Sequence, residues 1–142
     1  MSIATTVSAL QTKHAAISGV RTAPTAMPSN LSTAVLPIAL VWPSAATWSL
    51  QAMGLKRQER EYEVRVYVQP VAEGVAGPDA GYQACLTLLE LFGQAYQGDP
   101  DLSASVDHLL SCRDEGVTAG LTWGQITYWG FVYHLTVVEK SS

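Results

Sequence analysis

Residues 57–70, RQEREYEVRVYVQP, form the most regular stretch of the chain. Every second residue is apolar or aromatic, namely Tyr62, Val64, Val66 and Val68. They alternate with four polar or charged residues and one tyrosine, namely Glu61, Glu63, Arg65, Tyr67 and Gln69. This period of two predicts a long strand over about 59–70, with one packed face and one charged face. The charged face could meet water, a substrate or a neighbouring subunit, and the pattern alone leaves these alternatives open.

The composition favours a protein that associates with partners. The 142 residues are expected to form one domain, 1–142, and only 14% of them are charged, against about 25% in a typical protein. Much of the surface must therefore be neutral or apolar, which is common where a surface is covered by another molecule. The net charge of −4 and the interleaving of Arg and Glu argue against wrapping of nucleic acid, which requires clustered basic residues.

Cysteine usage and hydropathy point to a cytosolic origin. Cys85 falls on the apolar side of a predicted helix, which favours a reduced core thiol over a disulfide with Cys112. The N-terminal residues show no apolar region behind a positive start, so no signal peptide is expected. The run TAVLPIALVW has 10 residues and is too short to span a bilayer, so no membrane partner is expected.

The first half of the chain predicts a helix and two short strands before the long one. Apolar residues at three- and four-residue spacing predict a helix over 3–18, with Ser2 as its N-cap and Gly19 at its C-terminal end. Residues 34–43 predict a short strand, in which Pro37 marks the start as an edge or a bulge and Pro43 stops the strand. Residues 46–53 predict a second strand.

The second half predicts one helix and a C-terminal hairpin. Helical spacing extends over 79–96, with Asp79 as a cap, and Phe92 and Leu89 are expected to pack on Val64 and Val66. Within 101–121, VDHLLSC could be a short helix or a strand, and RDEGVTAG is expected to be a loop. LTWGQITYW followed by GFVYHLTVVEK predicts the hairpin. This order of elements predicts an α+β fold, a mainly antiparallel sheet with helices packed on one face.

Motifs for catalysis or cofactor binding are not found in the sequence. The three histidines stand far apart, without zinc-ligand spacing, and there is no phosphate loop and no nucleophile elbow. Asp114 and Glu115 are interpreted as solvated loop residues rather than an acid pair, and His134 as packed or paired. We therefore predict no catalytic residue, no cofactor and no metal, and a protein that is not an enzyme.

The order of five segments resembles the tail terminator (tail completion) proteins of long-tailed bacteriophages. The segments are the N-terminal helix, LPIALVWP, the RQEREYEVRVYVQP strand, the helix ending in FGQAY, and the final strand YWGFVYHLTVVE. The resemblance covers most of the chain, apart from residues 99–121. It implies a structural virion protein, made in the host cytoplasm, that forms a homohexameric ring at the head–tail junction. Such a ring caps the tail tube protein, ends tail polymerisation and joins a neck or connector protein.

The resemblance also suggests roles for the charged residues. The strand's charged face would meet the adjacent subunit, through Arg57, Arg60, Glu61, Glu63 and Arg65. DNA would pass through the ring without tight binding, along a lumen lined by the loop carboxylates Glu73, Asp79, Asp114 and Glu115. The alternatives are a neck, head-completion or other head–tail connector protein, a tail-tube subunit, or a small ligand-binding module with a pocket lined by Trp42, Trp48, Tyr82 and Phe92.

Overall fold

The computed structural model describes residues 3–32, 34–50, 56–71, 78–99 and 108–141. The elements in these ranges are α1 (Ile3–Ala15), β1 (Ile38–Leu50), β2 (Lys56–Pro70), α2 (Pro78–Gln97), β3 (His108–Trp123) and β4 (Ile126–Ser141). The strands pair antiparallel in one sheet, in the order β1-β2-β4-β3. The predicted α+β class is confirmed. The long strand RQEREYEVRVYVQP is β2, and it lies in the interior of the sheet beside β4.

Both helices pack against the same face of the sheet, as expected. Leu10 of α1 and Phe92 of α2 belong to the same buried cluster as Val64 and Val66 of β2. Leu89 is only half-buried, and the neighbouring Leu88 is the leucine that α2 buries on this core. The apolar side of β2 is therefore the packed side, and its charged side lies on the face of the sheet that carries no helix.

A buried histidine joins the two helices. His14 is fully buried, as is Gln11, and its Nδ1 donates to the Gln11 amide oxygen over 2.8 Å. Its Nε2 lies 2.7 Å from the Tyr96 hydroxyl, which donates to it. Gln11 in turn donates to the Ala39 carbonyl of β1. Both ring nitrogens of His14 therefore have hydrogen-bond partners within the core.

Strand β1 corrects the prediction of two strands. It continues through Pro43 to Leu50, with a register irregularity between Pro43 and Ala46. Proline is tolerated here because β1 is an edge strand, which pairs with a neighbouring strand on one side only, so its residues do not all need a backbone N–H for pairing. Pro43 therefore marks an irregularity in the pairing rather than a strand end. The strand begins at Ile38, so the prediction was wrong in placing residues 34–37, with Pro37, inside it. The part of the second predicted strand beyond residue 50 lies outside the described residues.

Strand β3 corrects the prediction of a loop over RDEGVTAG. The whole stretch belongs to β3, although its pairing with β4 is irregular at three places. Gly116 has φ +79°, a left-handed conformation that suits glycine, and it lies within one of these irregularities. The turn of the predicted hairpin lies at Gly124, with φ +62°, and Gly130 is an internal residue of β4.

The helix boundaries also differ in detail. α1 ends at Ala15 rather than residue 18, and Gly19 follows with φ +98°. α2 begins at Pro78, so Asp79 is in its first turn and is not the residue that precedes the helix. The predicted cap at Ser2 lies outside the described residues.

Candidate functional site

The candidate site is the face of the sheet opposite both helices, which we call the open face. One end of this face is apolar. There Leu31 and Leu36 pack over Ile38, Leu40 and other buried residues of the sheet. The middle of the face is polar and is formed by the charged side of β2 together with β3 and β4. Its side chains are partly exposed, for example 39% for Glu61 and 38% for Arg65.

Arginine–glutamate pairs lie along β2 at a spacing of two residues. Arg57 Nη2 lies 2.8 Å from Glu59 Oε1, and Arg65 Nη2 lies 2.9 Å from Glu63 Oε2. The Arg65 guanidinium also lies over the Trp42 ring, 4.9 Å from its centroid. Partly exposed pairs of this kind stabilise a fold by only ~0–1 kcal/mol each. The first partners of these charges are therefore within the chain, and their contribution to folding is small.

His134 lies between two carboxylates on the open face. Its Nδ1 is 2.8 Å from Glu61 Oε1, and its Nε2 is 2.6 Å from Glu115 Oε2. The expectation that His134 is packed or paired is confirmed. Glu63, directly opposite His134 in the β2–β4 register, completes a group of three residues whose ligand atoms lie within 4.8 Å of one another.

Sequence reasoning missed this group. Glu63, Glu115 and His134 come from three different strands, so no local spacing relates them. Two facts bring them together: the β2–β4 register, and the irregular pairing of β3 between Asp114 and Val117. The alternation in β2 and β4 indicates which residues of each strand share a face, but neither the register nor the irregular pairing of β3 has a clear sequence signal.

The interface candidates do not all lie on one face. The odd-numbered candidates lie on the open face: Arg57, Glu61, Glu63 and Arg65. Arg60 has the opposite orientation, because it is paired with Val137, a residue of the core beneath the helices. Its guanidinium donates to the Ser44 carbonyl. The prediction of one surface with five charges is therefore wrong for Arg60.

The lumen candidates do not form one group of loop residues. Asp114 and Glu115 lie in β3 and point to opposite sides of the sheet. Asp114 faces a surface groove that Gly93 and Tyr133 also line, whereas Glu115 faces His134. The loop assignment of these two was therefore wrong. Asp79 lies in the first turn of α2, and Glu73 is outside the described residues. A lumen role for any of the four stays a prediction.

The four aromatic residues of the ligand-pocket alternative lie in different surroundings. Phe92 is in the core beneath the helices, whereas Trp42 lies beside Trp123 and Arg65. Trp48 is 60% exposed, and Tyr82 is exposed beside Trp129. These side chains therefore do not line a common pocket.

Neither cysteine is activated as a nucleophile. The thiol of Cys85 is buried, and burial raises its pKa to about 12. Partial desolvation by neighbouring groups raises the pKa of the exposed Cys112 thiol, and the carboxylate of Asp114 adds to this shift. Both thiols are free and are protonated near neutral pH. The reduced core thiol predicted at Cys85 is confirmed.

Comparison with protein-family models and with curated proteins identifies no relative. The chain matches no protein-family model, and no curated protein matches it at a significant level. None of the helices in the described part of the chain is long and apolar enough to cross a membrane.

Proposed function

We propose that the protein is a tail-terminator-like structural protein, a homo-oligomeric ring that caps a phage tail tube and joins it to the head–neck complex. The support from sequence is the order of five segments described above. The low content of charged residues, 14%, adds support because it leaves much of the surface neutral or apolar. The expected ring is a hexamer, and DNA passes through it without tight binding.

The observation that carries the proposal is the polar middle of the open face. β2 and β4 are the two interior strands of an antiparallel sheet, and such a sheet can leave one face open to solvent or to a partner. Here one face is covered by helices, and the other presents Glu61, Glu63, Arg65 and His134 partly exposed. In a ring, this face of one subunit would meet a different surface of the next, a heterologous contact that closes on itself.

The two edges of the sheet favour a contact through the face rather than strand-to-strand pairing. β3 carries three pairing irregularities along its length, and β1 carries Pro43 and a bulge. Bulges and prolines on edge strands hinder the addition of another strand. An interface through the charged face therefore fits the structure better than an extended sheet running around the ring.

The function is tested by adding the purified protein to tail tubes that are polymerising. A terminator stops growth at a fixed length, whereas a neck or connector protein and a ligand-binding module leave tube length unchanged. A tail-tube subunit would itself add to the growing tube. Negative-stain electron microscopy of the protein alone tests the ring, and a protein that stays monomeric at high concentration and does not limit tube length contradicts the proposal.

Charge reversal tests the interface, with one precaution that the structure imposes. Glu63→Lys and Arg65→Glu should each weaken assembly, and the double swap should partly restore it. Because Glu63 and Arg65 bind each other within one chain, the swap also restores an internal pair. The free energy of unfolding of each monomeric variant must therefore be measured beside assembly. Glu90→Lys, an exposed change of the same kind on α2, is the matched control.

The outcome is decided by the difference between the two measurements. Loss of assembly with unchanged monomer stability supports the charged face as the interface. Charged residues at the periphery of an interface act on the rate and specificity of association rather than on the folding of each subunit. Assembly that both single reversals leave intact rejects this face. A loss of assembly equal to that of Glu90→Lys rejects it as well.

A further inference from the structure

The group around His134 has the arrangement of a metal site, built from three strands of the sheet. Glu63 of β2 lies opposite His134 of β4, and Glu115 reaches the same place from β3. Each offers one ligand atom, and these atoms lie within 4.8 Å of one another. Glu63 and His134 are held opposite each other by the β2–β4 register, whereas Glu115 lies in the irregular stretch of β3 between Asp114 and Val117.

The imidazole of His134 leaves a place for a cation. A neutral imidazole has one N–H, so it can donate to only one of the two carboxylates that flank it. With the proton on Nδ1 and donated to Glu61, the Nε2 lone pair faces Glu115 Oε2 at 2.6 Å. Two lone pairs repel each other at this distance unless a proton or a metal ion lies near both. The short contact between Nε2 and Glu115 Oε2 is therefore a place where either a proton or a metal ion can lie between the two atoms.

Glu61 has the position of a residue that orients a metal ligand. In protein metal sites, a ligating histidine usually donates its other ring N–H to a carboxylate, which fixes the ring and raises the basicity of the ligating nitrogen. Glu61 Oε1 accepts from Nδ1 over 2.8 Å, so Nε2 is the nitrogen left for a metal. Glu63 binds Arg65 through Oε2, which leaves Oε1 for coordination. The pairs around the group are therefore compatible with three ligands.

We propose that Glu63, Glu115 and His134 bind a divalent transition-metal ion of the zinc type on the open face. One imidazole nitrogen with two carboxylates suits zinc, whereas magnesium and calcium prefer oxygen ligands alone. Glu115 is 51% exposed, so water can complete the coordination. The site goes beyond the proposed ring and does not depend on it, because all three ligands belong to one chain.

Isothermal titration calorimetry with zinc chloride on the full chain tests the site. All titrations use a Cys112→Ser background, since Cys112 is an exposed free thiol that could bind zinc independently. One ion per chain should bind with micromolar affinity near neutral pH. His134→Gln and Glu115→Gln should each weaken zinc binding more than about tenfold. Glu61→Ala should weaken it about 10- to 100-fold, because the His134 imidazole loses the hydrogen bond that fixes its orientation.

Two controls make the result decisive. Asp114→Asn changes the neighbouring carboxylate, which points to the other side of the sheet, and should leave zinc binding unchanged. Magnesium chloride should give no binding in the same concentration range. Circular dichroism establishes that each variant is folded. The proposal is overturned by a protein that does not bind zinc, by equal affinity in His134→Gln, or by magnesium binding as strong as that of zinc.

Discussion

Titration of His14 should make the protein less stable in mild acid. His14 is fully buried between the helices and the sheet, and burial together with Lys13 lowers its pKa from 6.5 to about 3. It is therefore neutral in the folded protein. Protonation would break the geometry in which Nε2 accepts from the Tyr96 hydroxyl, because a protonated ring has no acceptor.

The magnitude follows from the two protonation equilibria of His14. Below its ordinary pKa of 6.5 the unfolded chain takes up a proton, whereas the folded protein does not until about pH 3. The unfolded state thus binds more protons in this window, so the stabilisation is present above 6.5 and decreases as the pH falls towards 3. From about pH 7 to about pH 5 the loss in the free energy of unfolding is ~2 kcal/mol.

The assay compares urea unfolding of the parent protein with that of His14→Gln at each pH. Glutamine does not titrate, and all other groups are common to both proteins, so the difference in their pH dependence isolates His14. The parent should lose ~2 kcal/mol more than the variant between about pH 7 and about pH 5. Equal losses in the two proteins would refute the reasoning, as would an NMR titration in which the His14 ring protonates near its ordinary pKa while the protein remains folded.

Three further outcomes are expected. Phe92→Ala should lower the free energy of unfolding by ~3–5 kcal/mol, because the ring is fully buried against aromatic residues of β4, and near-normal stability would contradict this. Gly130→Ala should cost ~1–3 kcal/mol by thermal or urea unfolding, since its Cβ would overlap the Val66 carbonyl oxygen, whereas Gly120→Ala on the edge strand should cost less. Duplex DNA titrated at low salt should show no submicromolar binding, given the net charge of −4, and tight binding that weakens steeply with salt would overturn the expectation that DNA slides past.

The elements that sequence reasoning predicted well are those with an uninterrupted period. β2 was predicted over about 59–70 and spans Lys56–Pro70, and α2 was predicted over 79–96 and spans Pro78–Gln97. Their periods of two and 3.6 reflect one packed face each, so burial reinforces local preference. The strands that were misjudged, β1 and β3, are both edge strands with bulges. A bulge shifts the alternation by a residue, and an edge accepts proline, so the usual signals fail at such strands.

The candidate site was only partly predictable, for a related reason. The alternation in β2 was enough to place Glu61, Glu63 and Arg65 on one surface. It also placed Arg60 on the other surface, which the grouping of charges by sequence proximity overlooked. The hydrogen bond between His134 and Glu115 depends on the irregular β3–β4 pairing. The sequence of either strand alone does not predict which residues of the two strands pair.

The strand order β1-β2-β4-β3 has a consequence for how the protein is made. The central pair, β2 with β4, joins residues roughly 70 positions apart, such as Val64 and Tyr133, whereas β1–β2 and β3–β4 pair neighbours in the chain. Long-range pairing is slow because the entropy of closing a large loop is lost before the contacts form. During synthesis β2 is complete long before β4, and its inner edge stays unpaired until then. Correct folding of nascent chains should therefore depend on chaperones or on a low local concentration of the protein. Expression at a high rate should favour aggregation through β2.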